Sequence, residues 1–135
     1  MSAITKFFFR APYAHPGTWA VIRWWESRRL AYNVAVGAAG LLSLGVLTVA
    51  GLLPPGPRAP GIPLGLILIY GFLANCFFCL GPALDALICR RWGPNLAAVG
   101  PALFRYGFAF AVGLTLLPIP LALIGWGIRL LHVLW

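Results

Sequence analysis

The chain has 135 residues, of which 61% are hydrophobic and 9% are charged, with 10 Lys and Arg against 2 Asp and Glu. A soluble globular domain carries about 25% charged residues, and a disordered chain is poor in hydrophobic residues, so both classes are excluded. The 16 glycines and 12 prolines are compatible with membrane helices, in which both residues are more frequent than in soluble ones. Composition therefore predicts an all-α integral membrane protein, with a single membrane domain over residues 1–135.

The N-terminal residues lack the pattern of a cleaved secretory signal. Lys6 and Arg10 enclose only three phenylalanines, whereas a signal peptide needs an apolar core of about 7–15 residues. We therefore expect the mature chain to begin near Met1. The first long apolar segment would then act as an uncleaved anchor.

Two apolar segments in the first two thirds of the chain are long enough to cross a bilayer. Residues 30–53 form 24 positions without a charge, which as a helix reach about 36 Å. Prolines at positions 54, 55 and 57 end this segment, because proline lacks a backbone N–H and clashes with the preceding helical turn. Residues 62–88 are interrupted only by Asp85. Both segments are predicted to span the membrane.

The last third of the chain allows two interpretations. Residues 106–128 carry no charge but contain Pro118 and Pro120, which predicts one span kinked near residue 118. The alternative divides this part into two shorter spans, over residues 96–117 and 119–135. We favour three spans, because the four-span version places Arg105 inside the membrane and leaves only about 17 residues for the last crossing.

The basic residues supply an independent test of the three-span topology. With a cytoplasmic N-terminus, the inner side holds Lys6, Arg10, Arg23, Arg28, Arg29, Arg90, Arg91 and Arg105, and the outer side holds Arg58 and Arg129. This excess agrees with the positive-inside rule and with attraction to anionic lipid headgroups. It accounts for the net charge of +8 without nucleic acid as a partner. We therefore expect a protein of the bacterial cytoplasmic membrane, with the N-terminus inside.

Residues 17–29, just before the first span, have an amphipathic helical pattern. At 100° per residue, the hydrophobic side gathers Val21, Ile22, Trp24 and Trp25. Tryptophan prefers the headgroup level of a membrane, so the pattern predicts an interfacial helix. Its anchors are predicted to be Trp19, Trp24 and Trp25. The alternative is that this helix is a docking face for a partner protein.

Several polar side chains lie near the inner ends of the predicted spans. Asp85 is the only acidic residue in any span, and an isolated carboxylate in hydrocarbon costs free energy unless it is paired or protonated. We predict that Asp85 forms an ion pair with Arg28, Arg29 or Arg105. This polar clamp at the inner leaflet would comprise Arg28, Arg29, Tyr32, Asn33, Asp85 and Arg105. The alternative is a role for Asp85 in handling protons or cations.

Small side chains recur every four residues in two of the spans. The first span has Ala31, Ala35, Ala39 and Ser43, and the third has Gly107, Ala111 and Thr115. Such repeats let helices approach closely, within one chain or between copies. Asn75 lies near the middle of the second span, where an amide is expected to hydrogen-bond another helix.

The cysteines and histidines do not favour a cofactor. Cys76 and Cys79 lie within the second span, where desolvation disfavours the reactive thiolate, and the chain has too few nearby ligands for zinc. His15 and His132 lie outside the middle of the spans, where a haem ligand would be needed. The phosphate-loop, zinc-protease and serine-hydrolase motifs are missing from the sequence. We therefore predict no catalytic residues, no metal and no cofactor, and a protein that is not an enzyme.

Two stretches are similar to a known group of proteins. Residues 24–33 (WWESRRLAYN) and 75–82 (NCFFCLGP) resemble small, uncharacterised multi-span proteins of bacterial inner membranes. The resemblance covers the first two spans and implies no activity. It does imply that residues 26–33 act as one unit.

Two functions remain open. The first is an accessory or scaffold subunit that packs against partner membrane proteins, while self-association of the chain is the other contact we expect. The second is a small oligomeric transporter or channel, which ordinarily has polar residues along one face over the whole depth of the pore. Within the spans only Ser43, Thr48, Asn75 and Thr115 are available for such a face. We therefore favour the accessory or scaffold role.

Overall fold

A computed structural model describes residues 2–9, 17–55, 61, 64–92 and 99–134. These residues form five α-helices and no strand. The helices are α1 (Ala3–Phe9), α2 (Thr18–Leu52), α3 (Leu64–Trp92), α4 (Val99–Leu116) and α5 (Pro118–Leu134). Three helical segments are long and apolar enough to cross a membrane, namely α2, α3 and the pair α4–α5. The fold is therefore all-α, as composition predicts.

The α2 helix joins two segments that the sequence analysis treats separately. It runs without a break through the predicted interfacial helix, 17–29, and the predicted first span, 30–53. No proline lies between residues 18 and 52, so nothing in the backbone ends the helix before residue 53. Its 35 residues correspond to about 52 Å. The interfacial segment is thus the first part of a longer helix.

The helices α2 and α3 are antiparallel. Trp25, near the start of α2, contacts Asp85 near the end of α3. Further along α2, the hydroxyl of Tyr32 donates a hydrogen bond of 3.1 Å to the carbonyl of Ala74. A later residue of α2 thus contacts an earlier residue of α3, as expected for neighbouring membrane spans joined by one loop.

The helices α4 and α5 both run in the direction of α2. Thr115 of α4 lies beside Ser43, and Arg129 of α5 lies beside Ala50. An α5 that turned back across the membrane would instead carry Arg129 about 21 Å towards the start of α2. The pair α4–α5 is therefore a single span, as favoured by the sequence analysis, rather than the two spans of the alternative.

The third span is longer than predicted and is interrupted at one residue. It begins at Val99 and ends at Leu134, whereas the prediction runs from 106 to 128. Leu117 separates α4 from α5 and is a turn. A residue that precedes proline is disfavoured in the α conformation, so Pro118 explains why the break falls there. The turn at Leu117 lies one residue before the position predicted for the kink.

The cations of the described residues divide between the two ends of the bundle. The end that contains Trp25 and Asp85 carries Lys6, Arg23, Arg28, Arg29, Arg90, Arg91 and Arg105, and the other end carries Arg129. Arg10 and Arg58 lie outside the described residues. This distribution is the one that the three-span topology predicts. It does not by itself say which end faces the cytoplasm.

Candidate functional site

The carboxylate of Asp85 lies where the three spans meet. It is 3% exposed, and its Oδ2 atom accepts a hydrogen bond of 3.0 Å from Nε1 of Trp25 on α2. Its Oδ1 atom lies 3.8 Å from the sulfur of Cys89, one turn later on α3. A Cβ atom at Gly100 of α4 would overlap Oδ2, which shows that the backbone of α4 lies directly against the carboxylate. We call Trp25, Asp85, Cys89 and Gly100 the Asp85 junction.

The predicted ion pair of Asp85 with Arg28, Arg29 or Arg105 is wrong. In the part of the chain that the structure describes, the one ion pair joins Arg29 to Glu26 at 2.7 Å. A physical reason is that the indole N–H supplies a donor to the carboxylate without burying a second ion. Removing an ion from water costs several kcal/mol even inside real proteins. Asp85 does join helices, but through an indole and a glycine.

Arg28 attaches α1 to α2. Its side chain is buried, and Nε and Nη2 donate hydrogen bonds of 3.0 and 2.8 Å to the carbonyl oxygen of Phe7. Nη1 donates to the carbonyl of Trp24 at 2.9 Å, and the guanidinium lies 3.8 Å from the centre of the Trp24 ring. The planar guanidinium holds its N–H donors in a fixed geometry, which suits two hydrogen bonds to one carbonyl. Arg28 therefore positions the N-terminal helix.

The other two arginines of the predicted clamp have separate partners. Arg29 donates to Glu26 and to the sulfur of Cys79, the latter at 3.4 Å, although its Nε is buried with no hydrogen-bond partner among the described residues. Arg105 lies over the ring of Phe9 at 4.6 Å. These arginines stabilise the same end of the bundle without sharing one site.

Tyr32 belongs to the helix interface, but Asn33 does not. The ring of Tyr32 is buried and lies 4.8 Å from the ring of Phe78 on α3. The side chain of Asn33 is exposed, and no hydrogen bond of the described residues joins it to the predicted clamp. Neighbouring helix positions point about 100° apart, which explains why only one of the two enters the interface.

The three predicted interfacial anchors also differ in their exposure. Trp19 is 83% exposed, as an anchor at the membrane surface would be, whereas Trp24 and Trp25 are buried in the protein. Trp24 and Trp25 therefore do not form an exposed docking face, and their rings contact other parts of the protein rather than lipid. For Trp25, Gly81 leaves room for the ring, and Gly100 leaves room for its acceptor Asp85.

An aromatic cluster surrounds Phe104, which the sequence analysis did not single out. Phe104 is 1% exposed, and its ring centre lies 5.7 Å from that of Trp25 and 6.0 Å from that of Trp24. It also contacts Phe7, Phe8 and Phe108. The spacing of Phe104 and Phe108 by four residues places them on one helix face, which was the only signal available. This cluster forms the core at the end of the bundle that holds Asp85.

A second polar contact lies nearer the middle of the bundle. The hydroxyl of Ser43 donates to the carbonyl of Thr115 at 2.6 Å. The hydroxyl of Thr115 donates to the carbonyl of Ala111, so it accepts from Tyr70, whose oxygen lies 2.5 Å away. These three residues join α2, α3 and α4. Tyr70 was not identified from the sequence, because nothing local distinguishes it from a surface tyrosine.

The predicted packing residues are only partly at helix contacts. Ala39 and Ser43 are buried, whereas Ala31 is exposed and Ala35 is half-buried. Asn75 donates its amide N–H to the carbonyl of Gly71, one turn earlier in the same helix, at 3.0 Å. The prediction that Asn75 bonds another helix is therefore wrong. An amide in lipid must find a partner, and its own backbone is the nearest one.

The groups of the Asp85 junction make hydrogen bonds and packing contacts. Across the described ranges, the cysteines are free and no group of three or more His, Cys, Asp or Glu is placed to hold a metal ion. Cys76 and Cys79 are exposed on α3, and Cys89 is half-buried beside Asp85. Trp25 and Asp85 each contact a neighbouring helix. The arrangement therefore stabilises one packing of three helices.

Comparison with models of protein families, with curated proteins and with solved structures finds no match for this chain. The class of the protein rests on the fold. It is a small all-α membrane protein with three segments long and apolar enough to span a bilayer.

Proposed function

We propose that this protein is a non-catalytic integral membrane protein that acts as an accessory or scaffold subunit. In this role it packs against partner membrane proteins in the bilayer. The observation that carries the proposal is the contrast between its inner and outer surfaces. The side chains of Ser43, Thr48, Tyr70, Asn75 and Thr115 bond within the chain. The outward surfaces of α3 and α5 are apolar and uncovered.

The outer surface of α3 supports this role. Of its 29 residues, only Phe78 and Asp85 are buried, and the exposed side chains include Leu66, Phe72 and Phe77. The α5 helix has no buried residue. A single chain thus leaves much of its apolar surface in contact with lipid or with other helices. Membrane helices associate through close packing of such surfaces.

The polar side chains argue for a scaffold rather than for a pore. A pore in an oligomer needs polar side chains along an outward face. Here the hydroxyls of Ser43, Tyr70 and Thr115 bond to one another or to the backbone within the chain. Thr48 bonds to its own helix through the carbonyl of Leu44. These internal bonds favour the structural role over the transporter or channel.

The cellular location follows from the charges. The basic end of the bundle contains Lys6, Arg23 and the arginines that flank the spans, and by the positive-inside rule it faces the cytoplasm. We therefore propose a location in the bacterial cytoplasmic membrane, with anionic headgroups around the basic end. Cysteine-accessibility labelling at Ser2 and at Gly61 tests this orientation. Labelling of Ser2→Cys from the outside of intact cells would contradict it.

The function is tested by purifying the tagged, full-length protein in a gentle detergent and measuring the mass of the intact complexes. The accessory role predicts a stoichiometric complex with another membrane protein. A homo-oligomer without a second protein would instead favour transport, to be followed by flux assays in liposomes.

A matched pair of variants links such a complex to the surface of α3. Gly71 and Gly37 are both exposed, and a Cβ atom at either position meets nothing within 4 Å. Gly71→Leu places a bulky group on the outward face of α3 and is expected to lower the yield of partner. Gly37→Leu, on α2, is the control and leaves the yield unchanged. Equal yields from both variants would contradict a partner on α3.

A further inference from the structure

An apolar groove lies between α2 and α5, at the end of the bundle opposite Asp85. Its volume is about 390 Å³, within the range of about 300–1,000 Å³ that is usual for small-molecule sites. Its lining includes Leu42, Gly45 and Val49 of α2, Leu53 just after the end of α2, and Leu123 and Trp126 of α5. From Leu42 to Leu53 it extends about 16 Å along the helix axis. The groove is therefore long and narrow.

A cation lies at one end of this groove. The Nη2 atom of Arg129 donates a hydrogen bond to the carbonyl oxygen of Ala50, and Ala50 is part of the groove lining. A guanidinium has five N–H donors, and among the described residues this is the one hydrogen bond of Arg129. Ala50 lies within one turn of the C-terminal end of α2. The charge is thus near the membrane boundary, with the apolar groove leading from it towards the middle of the bundle.

Neither of the two acidic side chains of the sequence lies near Arg129. The sequence contains only two acidic residues, Glu26 and Asp85. Glu26 pairs with Arg29, and Asp85 accepts from Trp25, both at the opposite end of the bundle. A guanidinium near hydrocarbon attracts an anion, and arginine suits the oxygens of a phosphate.

We propose that this groove binds one anionic phospholipid, with its phosphate on Arg129 and one acyl chain along the groove. Charge complementarity places the headgroup, and the apolar lining between Leu42 and Leu53 receives the chain. The indole N–H of Trp126 donates a hydrogen bond of 3.0 Å to the carbonyl of Pro54. This bond fixes α5 against the end of α2, so the groove is already formed without the lipid.

Two features favour a phospholipid over a helix of a partner. The lining of the groove is apolar, and a guanidinium lies at one end of it, which matches the acyl chain and the charged headgroup of one lipid. The site is independent of the accessory role, because neither requires the other.

Two glycines of α2 supply a matched pair for the acyl-chain part of the site. Gly45 lines the groove, whereas Gly37 does not, and a Cβ atom at either position meets nothing within 4 Å. Gly45→Leu therefore fills the groove without disturbing the packing of the chain. Gly37→Leu is the control. For the charge, Arg129→Gln is compared with Arg91→Gln, at the exposed end of α3.

The test is native mass spectrometry of the full chain with phosphatidylglycerol or phosphatidylcholine of identical acyl chains. The wild-type protein is expected to retain one phosphatidylglycerol at least about tenfold more tightly than phosphatidylcholine, a preference of the size that one charged contact supplies. Arg129→Gln is expected to remove this preference, and Gly45→Leu is expected to weaken the binding of both lipids. The controls Gly37→Leu and Arg91→Gln are expected to bind both lipids as the wild type does. An unchanged preference in Arg129→Gln, or unchanged binding in Gly45→Leu, overturns the proposal. Equal binding of both lipids by the wild type overturns it as well.

Discussion

Trp25 and Asp85 are 60 residues apart in the chain, yet the indole N–H of one donates a hydrogen bond of 3.0 Å to the carboxylate of the other. The contact joins the start of α2 to the end of α3. It supplies a donor to the buried carboxylate of α3, and it brings that carboxylate against the backbone of α4 at Gly100. This pair therefore contributes to the packing of the three spans.

Replacing Trp25 with Phe tests the hydrogen bond with little loss of ring packing. Asp85 then loses its indole donor, and a buried polar group without its partner costs about 1–3 kcal/mol. We expect a lower midpoint of thermal unfolding in detergent for Trp25→Phe. Trp19→Phe is the control, because Trp19 is 83% exposed and its replacement should leave the midpoint unchanged. Equal midpoints for both variants would show that the bond does not stabilise the fold.

Gly81 tests the close approach of α3 to Trp25. A Cβ atom at this position would overlap the Trp25 ring, and the ring is held by the surrounding aromatic cluster. Such overpacking costs about 1–3 kcal/mol, so Gly81→Ala is expected to destabilise the protein. The control is Gly71→Ala in the same helix, where a Cβ atom meets nothing within 4 Å. If Gly81→Ala is as stable as Gly71→Ala, the two helices are not as close as the structure places them.

Arg28 tests the attachment of α1. In Arg28→Gln, the two hydrogen bonds to the carbonyl of Phe7 and the stacking on Trp24 are lost. We expect α1 to leave the bundle, with hydrogen exchange of residues 3–9 at least about tenfold faster, since charged hydrogen bonds contribute about 1.5–3 kcal/mol. Hydrogen–deuterium exchange with mass spectrometry measures this directly. Arg91→Gln, which alters an exposed arginine, is expected to exchange like the wild type, and faster exchange there would mean that net charge rather than Arg28 holds α1.

Tyr70 tests the second polar contact. Tyr70→Phe removes only the hydroxyl that bonds to Thr115, which is expected to cost about 0.5–1.5 kcal/mol. Equilibrium unfolding in mixed micelles measures the change in the free energy of unfolding. Tyr106→Phe is a matched control, because Tyr106 is 73% exposed. A loss of equal size in both variants would indicate a general effect of removing a tyrosine hydroxyl.

The spans were largely predictable, because apolar length is a local property of the chain. Three segments long enough to cross a bilayer follow from runs without charge, and Pro118 marks the interruption of the third. The end of α2 was also predictable, since prolines follow it. Its start was less clear, because the switch from a mixed to an apolar sequence near residue 30 does not end a helix.

The partners of the polar residues were less predictable. Asp85 required a donor, and the sequence offered three nearby arginines, but the structure supplies Trp25 instead. The choice depends on which side chains face one another across the helices. A helix turns 100° per residue, so a small change in rotation exchanges one partner for another. Asn75 illustrates the same point, because it bonds to its own helix.

The sequence by itself determined that this protein is a helical membrane protein with three spans and a basic end, because these properties depend on hydrophobicity and charge added along the chain. Only the tertiary structure decided that Trp24 and Trp25 lie inside the bundle, that Gly81 and Gly100 make room for Trp25 and Asp85, and that Arg129 stands beside an apolar groove. These features depend on the distances between side chains far apart in sequence. Such distances are set by how the helices rotate and pack, which no local pattern encodes.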